Sequence, residues 1–424
     1  MRRIVVIVVS LAAVCAVVAA VLVATHHPAP AAAAPLDPVR GRPAALADAG
    51  VLAAPLDRFG LDLLAREARR NADGNVVISP LSIGDVLAMI LNGAQGRTAT
   101  EMRRTLGLDG LSLPATDQAW ADLIAAAQAG RRPAVQIADS LWLHSGVAFA
   151  PRFLTAGRDY FAAATLPLPT DPVRAADAVN GWVDARTAGL IKQIVQPGDF
   201  SDATILAVVN TVHLKAAWAT PFAAGETAPR PFTLGGGTVV RVPTMSGPVT
   251  APVAQTSAYD AVALATKGPV TAWVVVPREG KTPESLVALL AARGLDSLYG
   301  AARTTSIMLE LPRLHTTFSE PDLKTELQAM GMVSAFSPQT AELQGIVAPG
   351  TQGRVYIERV VHKAVLDVTE GGVEAAAATA GIVGLSAAPY APLTISADRP
   401  FLLLLTDKRT AAPLFMALIR DPRA

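Results

Sequence analysis

The chain has 424 residues, 51% of them apolar, and a formal net charge of +1. This length and apolar content allow a large buried core, and the near-neutral charge gives no reason to expect a nucleic acid or a strongly acidic partner. The single cysteine, Cys15, lies in the N-terminal apolar run. The rest of the chain therefore has no disulfide, no cysteine-built metal site and no thiol redox pair.

The N-terminus predicts export. Three residues, Met1-Arg2-Arg3, precede 21 residues without a charge, Ile4–Ala24. This run exceeds the usual signal-peptide core of about 7–15 residues and is long enough for a membrane helix, so residues 1–24 are predicted to be a signal peptide or, by preference, an uncleaved signal anchor. Val14 before Cys15 makes a poor lipoprotein cleavage box. Residues 25–50, rich in Ala and Pro, read as a linker to a single domain over 51–424.

The domain opens with two predicted helices and a short strand between them. Apolar residues on one face predict a helix over Pro55–Arg70. The strand at 75–78 leads into a second helix, with Ser79 as N-cap and Pro80 at the first helical position. Patterning then predicts helices over Thr98–Leu106, Ala119–Ala129, Pro151–Phe161 and Asp171–Thr187, and a strand over Val135–Leu143.

Strands dominate the middle and end of the chain. The run that begins at Ile205 is continuously apolar, as in a strand buried on both faces. Glycines at 235–237 mark a turn between two strands. Further predicted elements are the strands Val270–Pro277 and Ile307–Leu314, the helices Pro283–Leu290 and Leu323–Met330, and a final strand pair within 398–405 and 412–422.

The stretch from Glu370 to Ala380 combines two glycines with a run of small residues. Four successive alanines favour a helix by propensity, but no apolar stripe accompanies them, and two glycines and a proline interrupt the next ten residues. A segment that is exposed in one state and a sheet strand in another fits better, because small side chains enter a crowded sheet without clashes. Val373, Ala375, Ala377 and Thr379 would then share one face.

No catalytic constellation appears in the sequence. A Gly-x-Ser-x-Gly elbow and a His-Glu-x-x-His zinc motif are both missing. Residues 279–282 resemble a phosphate loop, but Val275 stands where that loop needs a glycine. His26 and His27 lie in the linker and the other four histidines are scattered singly. The chain is therefore not expected to be an enzyme or to hold a cofactor or metal.

Five motifs, in order over residues 51–424, resemble those of the serpins, a family of serine protease inhibitors, here of bacterial type. The resemblance implies an α+β serpin fold with about three β-sheets, eight or nine helices and an exposed reactive-centre loop at about 370–392. Leu214 replaces the usual aromatic residue and Ala417 the usual glycine. The motifs are Asn75–Ile83, Asn180–Ile191, Asn210–Phe222, Leu311–Leu314, and the pair Asp398–Leu405 with Ala412–Pro422.

The resemblance also implies three groups of functional residues. The groups are a loop hinge (Glu370, Gly371, Gly372, Val373, Glu374, Ala375, Ala376, Ala377, Ala378, Thr379), a shutter under the central sheet (Ser79, Ser82, Asn210, His362) and a breach at the top of that sheet (Trp218, Arg313, Glu370). The alternative for the shutter is that each residue is satisfied by local hydrogen bonds. The alternative for the breach is that Arg313 and Glu370 are unrelated surface charges.

The implied activity is suicide trapping of a serine protease. Counting from Glu370 as the family does places the reactive bond at Ser386–Ala387, with Leu385–Ser386 as the alternative. No basic residue lies there, which favours elastase-, subtilisin- or chymotrypsin-like targets, with a cysteine protease as the alternative. The protein is expected to act outside the cell as a monomer in covalent complex with its target, with residues 4–24 as a membrane contact. The alternative is a non-inhibitory serpin acting as a carrier, chaperone or surface structural protein.

Overall fold

A computed structural model describes residues 5–14, 50–129, 134–373 and 393–424. Within these ranges the fold is α+β, with nine α-helices and three β-sheets, as the resemblance implies. The helices are α1 (Ala53–Arg70), α2 (Pro80–Leu91), α3 (Gly96–Thr105), α4 (Leu113–Ala127), α5 (Pro151–Phe161), α6 (Pro172–Arg186), α7 (Pro283–Arg293), α8 (Asp296–Ala301) and α9 (Lys324–Ala329).

Seventeen strands run through the described residues. They are β1 (Val5–Val14), β2 (Val76–Ile78), β3 (Val135–His144), β4 (Ala164–Leu168), β5 (Thr204–Leu214), β6 (Ala216–Ala217), β7 (Ala228–Thr233), β8 (Val239–Gln255), β9 (Tyr259–Ala265), β10 (Val270–Pro277), β11 (Arg303–Pro312), β12 (Leu314–Glu320), β13 (Val355–Thr369), β14 (Gly372–Val373), β15 (Leu393–Ser396), β16 (Phe401–Asp407) and β17 (Pro413–Ile419).

The central sheet has the strand order β4-β3-β5-β1-β13-β14-β6, and β12 also pairs with β13. Its middle position lies between β5 and β13, and we call this position the acceptor gap. Strand β1 lies in this gap and runs parallel to both neighbours. Strand β14 enters the end of the same gap, between β13 and β6, and runs antiparallel to both.

The remaining nine strands form two sheets joined through β8, which is 17 residues long. The first part of β8 pairs with β7, its middle and end pair with β11, and its last residues also pair with β9. From the end of β8 the second of these sheets continues in the order β9-β10-β16-β17-β2, and β16 and β17 are buried along their whole length. This second sheet packs against α2, whose twelve residues are all buried.

Helix α6 covers one face of the acceptor gap. Its buried residues Val179 and Val183 pack in a cluster with Val209 of β5 and with Val361 and Val365 of β13. The helix therefore bridges the two strands that border the gap. Since this cluster is separate from the main core, α6 forms its own layer over the sheet.

Several predicted elements are confirmed to the residue. Ser79 caps α2 by accepting a hydrogen bond from the Ser82 amide at 3.1 Å, and Pro80 begins the helix. Helix α4 begins at Leu113, six residues before the predicted Ala119, because Ser112 caps it. The single strand predicted over 307–314 was wrong, since Arg313 divides it. Strand β11 ends at Pro312 and pairs with β8, whereas β12 pairs with β13.

The N-terminal segment predicted as a signal peptide or signal anchor, residues 1–24, is described only in part. Residues 5–14 form β1, and residues 15–49 lie outside the described part. A strand buried between two neighbours reads as a continuous apolar run, as a membrane segment does, so hydropathy alone does not separate the two. Among the described residues, none of the helices has the length and apolar content needed to cross a membrane.

Candidate functional site

The hinge begins where β13 ends. The chain turns at Glu370 and Gly371, and β14 then pairs with β13 on one side and β6 on the other. Val373 is fully buried, opposite Val368 and Ala216. Gly372 has φ of +147°, and a Cβ there would lie 2.3 Å from the carbonyl oxygen of Ala216, so only glycine fits this close approach.

The other predicted loop residues lie outside the described part of the chain. These are the remaining hinge positions Glu374 to Thr379 and the reactive-bond candidates Leu385, Ser386 and Ala387.

The structure brings the three predicted breach residues together at the hinge. Arg313 donates from Nε to Glu370 Oε1 at 2.7 Å, and Thr227 donates its hydroxyl to the same oxygen. Burial alone would raise the pKa of Glu370, but the hydrogen bonds from Arg313 and Thr227 outweigh it, so the pKa is lowered. Glu370 is therefore held as a paired carboxylate, although nearly half of the Arg313 side chain remains in solvent.

Trp218 ties the turn to the neighbouring strand. Its indole Nε1 donates to the carbonyl of Thr369 and its backbone N–H donates to the carbonyl of Gly371, both at 2.9 Å. The Phe222 amide donates to the carbonyl of Glu370 at 3.0 Å. The indole is almost completely buried. These contacts hold the backbone of Thr369, Glu370 and Gly371 in place at the start of the hinge.

Three of the predicted shutter residues also meet. Ser79 Oγ donates to the Leu414 carbonyl of β17 at 2.7 Å. Ser82, one turn later on α2, donates its hydroxyl to Asn210 Oδ1 in β5. All three side chains are fully buried. These two hydrogen bonds connect α2 to β17 on one side and to β5 of the central sheet on the other.

Two carboxylic acids that the sequence analysis did not single out complete this group. Asn210 Nδ2 donates to Asp85 Oδ2 at 2.9 Å and to Asp139 Oδ1 at 2.8 Å. We refer to Ser79, Ser82, Asp85, Asp139 and Asn210 as the polar cluster. Asp85 is the only charged residue in the buried helix α2, and Asp139 interrupts an apolar strand. A lone acid in such a run is the signal that could have identified them.

Burial governs the ionisation of the two acids. It raises the pKa of Asp139 to about 7, and burial together with the neighbouring Asp139 raises that of Asp85 well above its usual value. Asp85 Oδ1 has no hydrogen-bond donor among the described residues. One proton shared between the two carboxyl groups would satisfy that oxygen and avoid two adjacent buried charges.

Asp139→Asn is expected to flatten the dependence of stability on pH. A pKa of about 7 in the folded state and 3.8 in the unfolded state means that stability present below about pH 4 is lost as the pH rises through 7. The slope is roughly 1.4 kcal/mol per pH unit for one such group. Unfolding in urea between pH 4.5 and 8 measures it. The exposed Asp109→Asn is the control, and an equal slope in all three proteins would contradict the assignment.

His362, the fourth predicted shutter residue, is not hydrogen-bonded to Asn210. It is fully buried, and neither ring nitrogen is in hydrogen-bond geometry with any described residue. Burial lowers its pKa to about 4, and the nearby Val77 backbone offsets only part of that. The cause of the separation is β1, because Leu11 is the pairing partner of His362 on one side and of Asn210 on the other.

Comparison with known proteins agrees with this architecture. The family profile described as "Serpin (serine protease inhibitor)" matches residues 54–422. A serpin-like protein of Thermococcus kodakarensis is 31% identical over 379 residues, which cover 87% of this chain and 85% of that protein. Human neuroserpin is 28% identical over 363 residues, covering 82% of this chain and 87% of the relative.

Solved structures give the same fold. A cleaved serpin, Serpin 42Da, superposes with a TM-score of 0.80 at 25% identity, covering 90% of this chain and all of that one. The native thermophilic serpin tengpin gives 0.77 at 23% identity over 87% of this chain and 93% of its own. Because the family profile covers well over half of the sequence, and a relative above 30% identity is matched over most of its length, the chain belongs to the serpin family.

Proposed function

We propose that this serpin inhibits serine proteases by suicide trapping. The observation that carries the proposal is the hinge, where β14 already occupies the end of the acceptor gap with an uncharged, fully buried Val373. Strand insertion into a sheet is a known mode of binding and switching for serpin reactive loops. An extended loop that continues from Val373 would prolong the pairing that β14 has begun.

The length of β13 supports the reactive bond chosen by counting. If the antiparallel register of β14 continues residue by residue, Ser386 falls opposite Val355, the first residue of β13. A loop cleaved after Ser386 would therefore fill the sheet from end to end. Each added ladder hydrogen bond contributes a net of roughly 1 kcal/mol, so full insertion is strongly favourable.

The chemistry is that of an ordinary substrate up to the acyl-enzyme. The protease serine oxygen bonds to the carbonyl carbon of Ser386, the bond to the Ala387 nitrogen breaks, and the new amine takes the proton. Insertion then carries the tethered protease along the sheet before water can cleave the ester. Gly384-Leu385-Ser386-Ala387 has no basic residue, which favours elastase-, subtilisin- or chymotrypsin-like targets.

The protein acts as a monomer on the outer side of the cell. The basic start and long apolar run at residues 1–24 support export, and the small-residue hinge supports an inhibitor rather than a carrier. Thyroxine-binding globulin has the same fold at a TM-score of 0.77 and 24% identity, so the fold alone does not distinguish the two activities.

Mixing with chymotrypsin, pancreatic elastase and subtilisin tests the proposal. Both the full chain and residues 51–424, which contain the whole family match, are used. A band at the summed mass on a denaturing gel is expected for at least one form and protease, and sequencing the released peptide should give Ala387 as its first residue. Cleavage without such a band, and without a rise in the melting temperature of the cleaved protein, would overturn the inhibitor function and leave the carrier function.

A further inference from the structure

The acceptor gap of this protein holds two segments of opposite direction. At one end, β14 is antiparallel to β13, as the start of an inserting loop must be. Along the rest of the gap, β1 is parallel to both β5 and β13. The second occupant comes from the chain's own N-terminus, a segment that precedes the family match by about forty residues.

The pairing registers show that the two segments compete for the same positions. Strand β1 pairs with β13 from Val355 to Ala364, and β14 pairs with Val368 and Thr369. Only three residues of β13 lie between them. A loop that extended β14 beyond those three positions would reach Ala364, whose partner in the gap is Ala13.

The polar groups on either side of β1 give a second, independent indication. Asn210 and His362 are both partners of Leu11, so β1 lies between them. Neither ring nitrogen of the buried His362 is in good hydrogen-bond geometry with a described residue, the nearby Val77 backbone included, which is costly. Removal of β1 would allow β5 and β13 to approach, which brings the imidazole toward the Asn210 side of the gap.

We propose that residues 5–14 are an intramolecular plug that fills the acceptor gap and keeps the serpin from trapping proteases until the segment is withdrawn. The inference rests on the proposed inhibitory function. Withdrawal results from cleavage after the apolar run or from its transfer into a lipid bilayer, for which its composition is equally suited. Inhibition would then be switched on by export, and the protein would not inhibit proteases wherever residues 5–14 remain in the sheet.

Hydrogen exchange of the full chain tests directly whether β1 occupies the acceptor gap. Amides of residues 5–14 should exchange slowly in the native protein, because β1 is bordered by strands on both sides. Val9→Pro removes a ladder donor at the middle of β1 and should release the whole segment to fast exchange. Ala32→Pro, in the linker, is the matched control and should leave exchange unchanged. Fast exchange of residues 5–14 in the native protein would overturn the proposal.

Trapping by the same full-length proteins tests the regulatory part. Val9→Pro should form at least about tenfold more covalent complex with a sensitive protease than the native chain or Ala32→Pro, as expected when a competitor for the gap is removed. Equal yields in the three proteins, when exchange shows β1 protected in the native chain and released in Val9→Pro, would contradict the plug.

The melting temperature of the cleaved protein distinguishes failure of the plug from failure of the inhibitory function. If residues 51–424 trap none of the three proteases, the melting temperature after loop cleavage still reports whether the loop inserts. The cleaved Val9→Pro protein should then melt higher than the cleaved native chain. The same melting temperature in both would overturn the competition between β1 and the loop.

Discussion

Val373→Arg is expected to convert the protein from an inhibitor into a substrate. Val373 is completely buried and is enclosed by Val368 on β13 and Ala216 on β6. An arginine there must either bury an unpaired guanidinium, at a cost of several kcal/mol, or leave the gap and take β14 with it. Either result slows insertion relative to hydrolysis of the acyl-enzyme.

The measurement is the partition between complex and cleaved inhibitor, made on residues 51–424 so that the plug plays no part. The yield of covalent complex should fall at least about tenfold, while the rate of loop cleavage is unchanged, because only the step after acylation is affected. Val239→Arg makes the same chemical change at a valine that is 60% exposed and should trap normally. Normal trapping by Val373→Arg as well would show that this position does not enter the sheet.

The second large effect is expected for Asn210→Leu. The substitution removes the donor to Asp85 and Asp139 and the acceptor of the Ser82 hydroxyl in one step. It leaves two buried carboxyl groups facing a hydrocarbon side chain, so the free energy of unfolding should fall by about 3–5 kcal/mol.

Denaturant unfolding at pH 5 and pH 8 checks both the size and the cause of this loss. The loss should be larger at pH 8, because the raised pKa values favour the neutral carboxyl form at the lower pH and an unpaired neutral acid is cheaper to bury than an anion. Thr211→Val is the control. It changes the next residue of β5, which is equally buried but makes one long hydrogen bond, to Ala138 at 3.4 Å, and should cost far less. Equal losses from the two substitutions would argue against the cluster.

Local sequence signals predicted most of the helices and strands. Ser79 and Pro80 define the start of α2 because capping and the proline conformation act within one turn. The Arg313–Glu370 pair forms at 2.7 Å although its members are 57 positions apart. Family resemblance, rather than local pattern, suggested that contact, since residue spacing alone does not bring two distant charges together.

The features that the sequence did not predict depend on strand neighbours. An apolar run such as residues 5–14 has the same hydropathy in a lipid bilayer and in a doubly covered strand, and only the presence of an open gap decides between them. The predicted shutter groups His362 with Asn210, which requires β5 and β13 to be adjacent, whereas β1 separates them. Each of Asp85 and Asp139 stands out in the sequence only as a separate acid, and their proximity to each other and to Asn210 arises only from packing of α2 on the sheet.

The pairing of β14 at the hinge also affects how fast the loop can insert. Starting a strand is slow because several backbone torsions must be fixed before the first ladder contacts form, whereas lengthening an existing strand adds contacts with each residue ordered. In this protein β14 is a nucleus that exists before any protease arrives, held by β13, β6 and the contacts of Trp218. Under the proposed mechanism, and once β1 has left the acceptor gap, insertion would compete with deacylation only through the lengthening of β14. Its outcome would then depend on how quickly successive residues pass beneath α6.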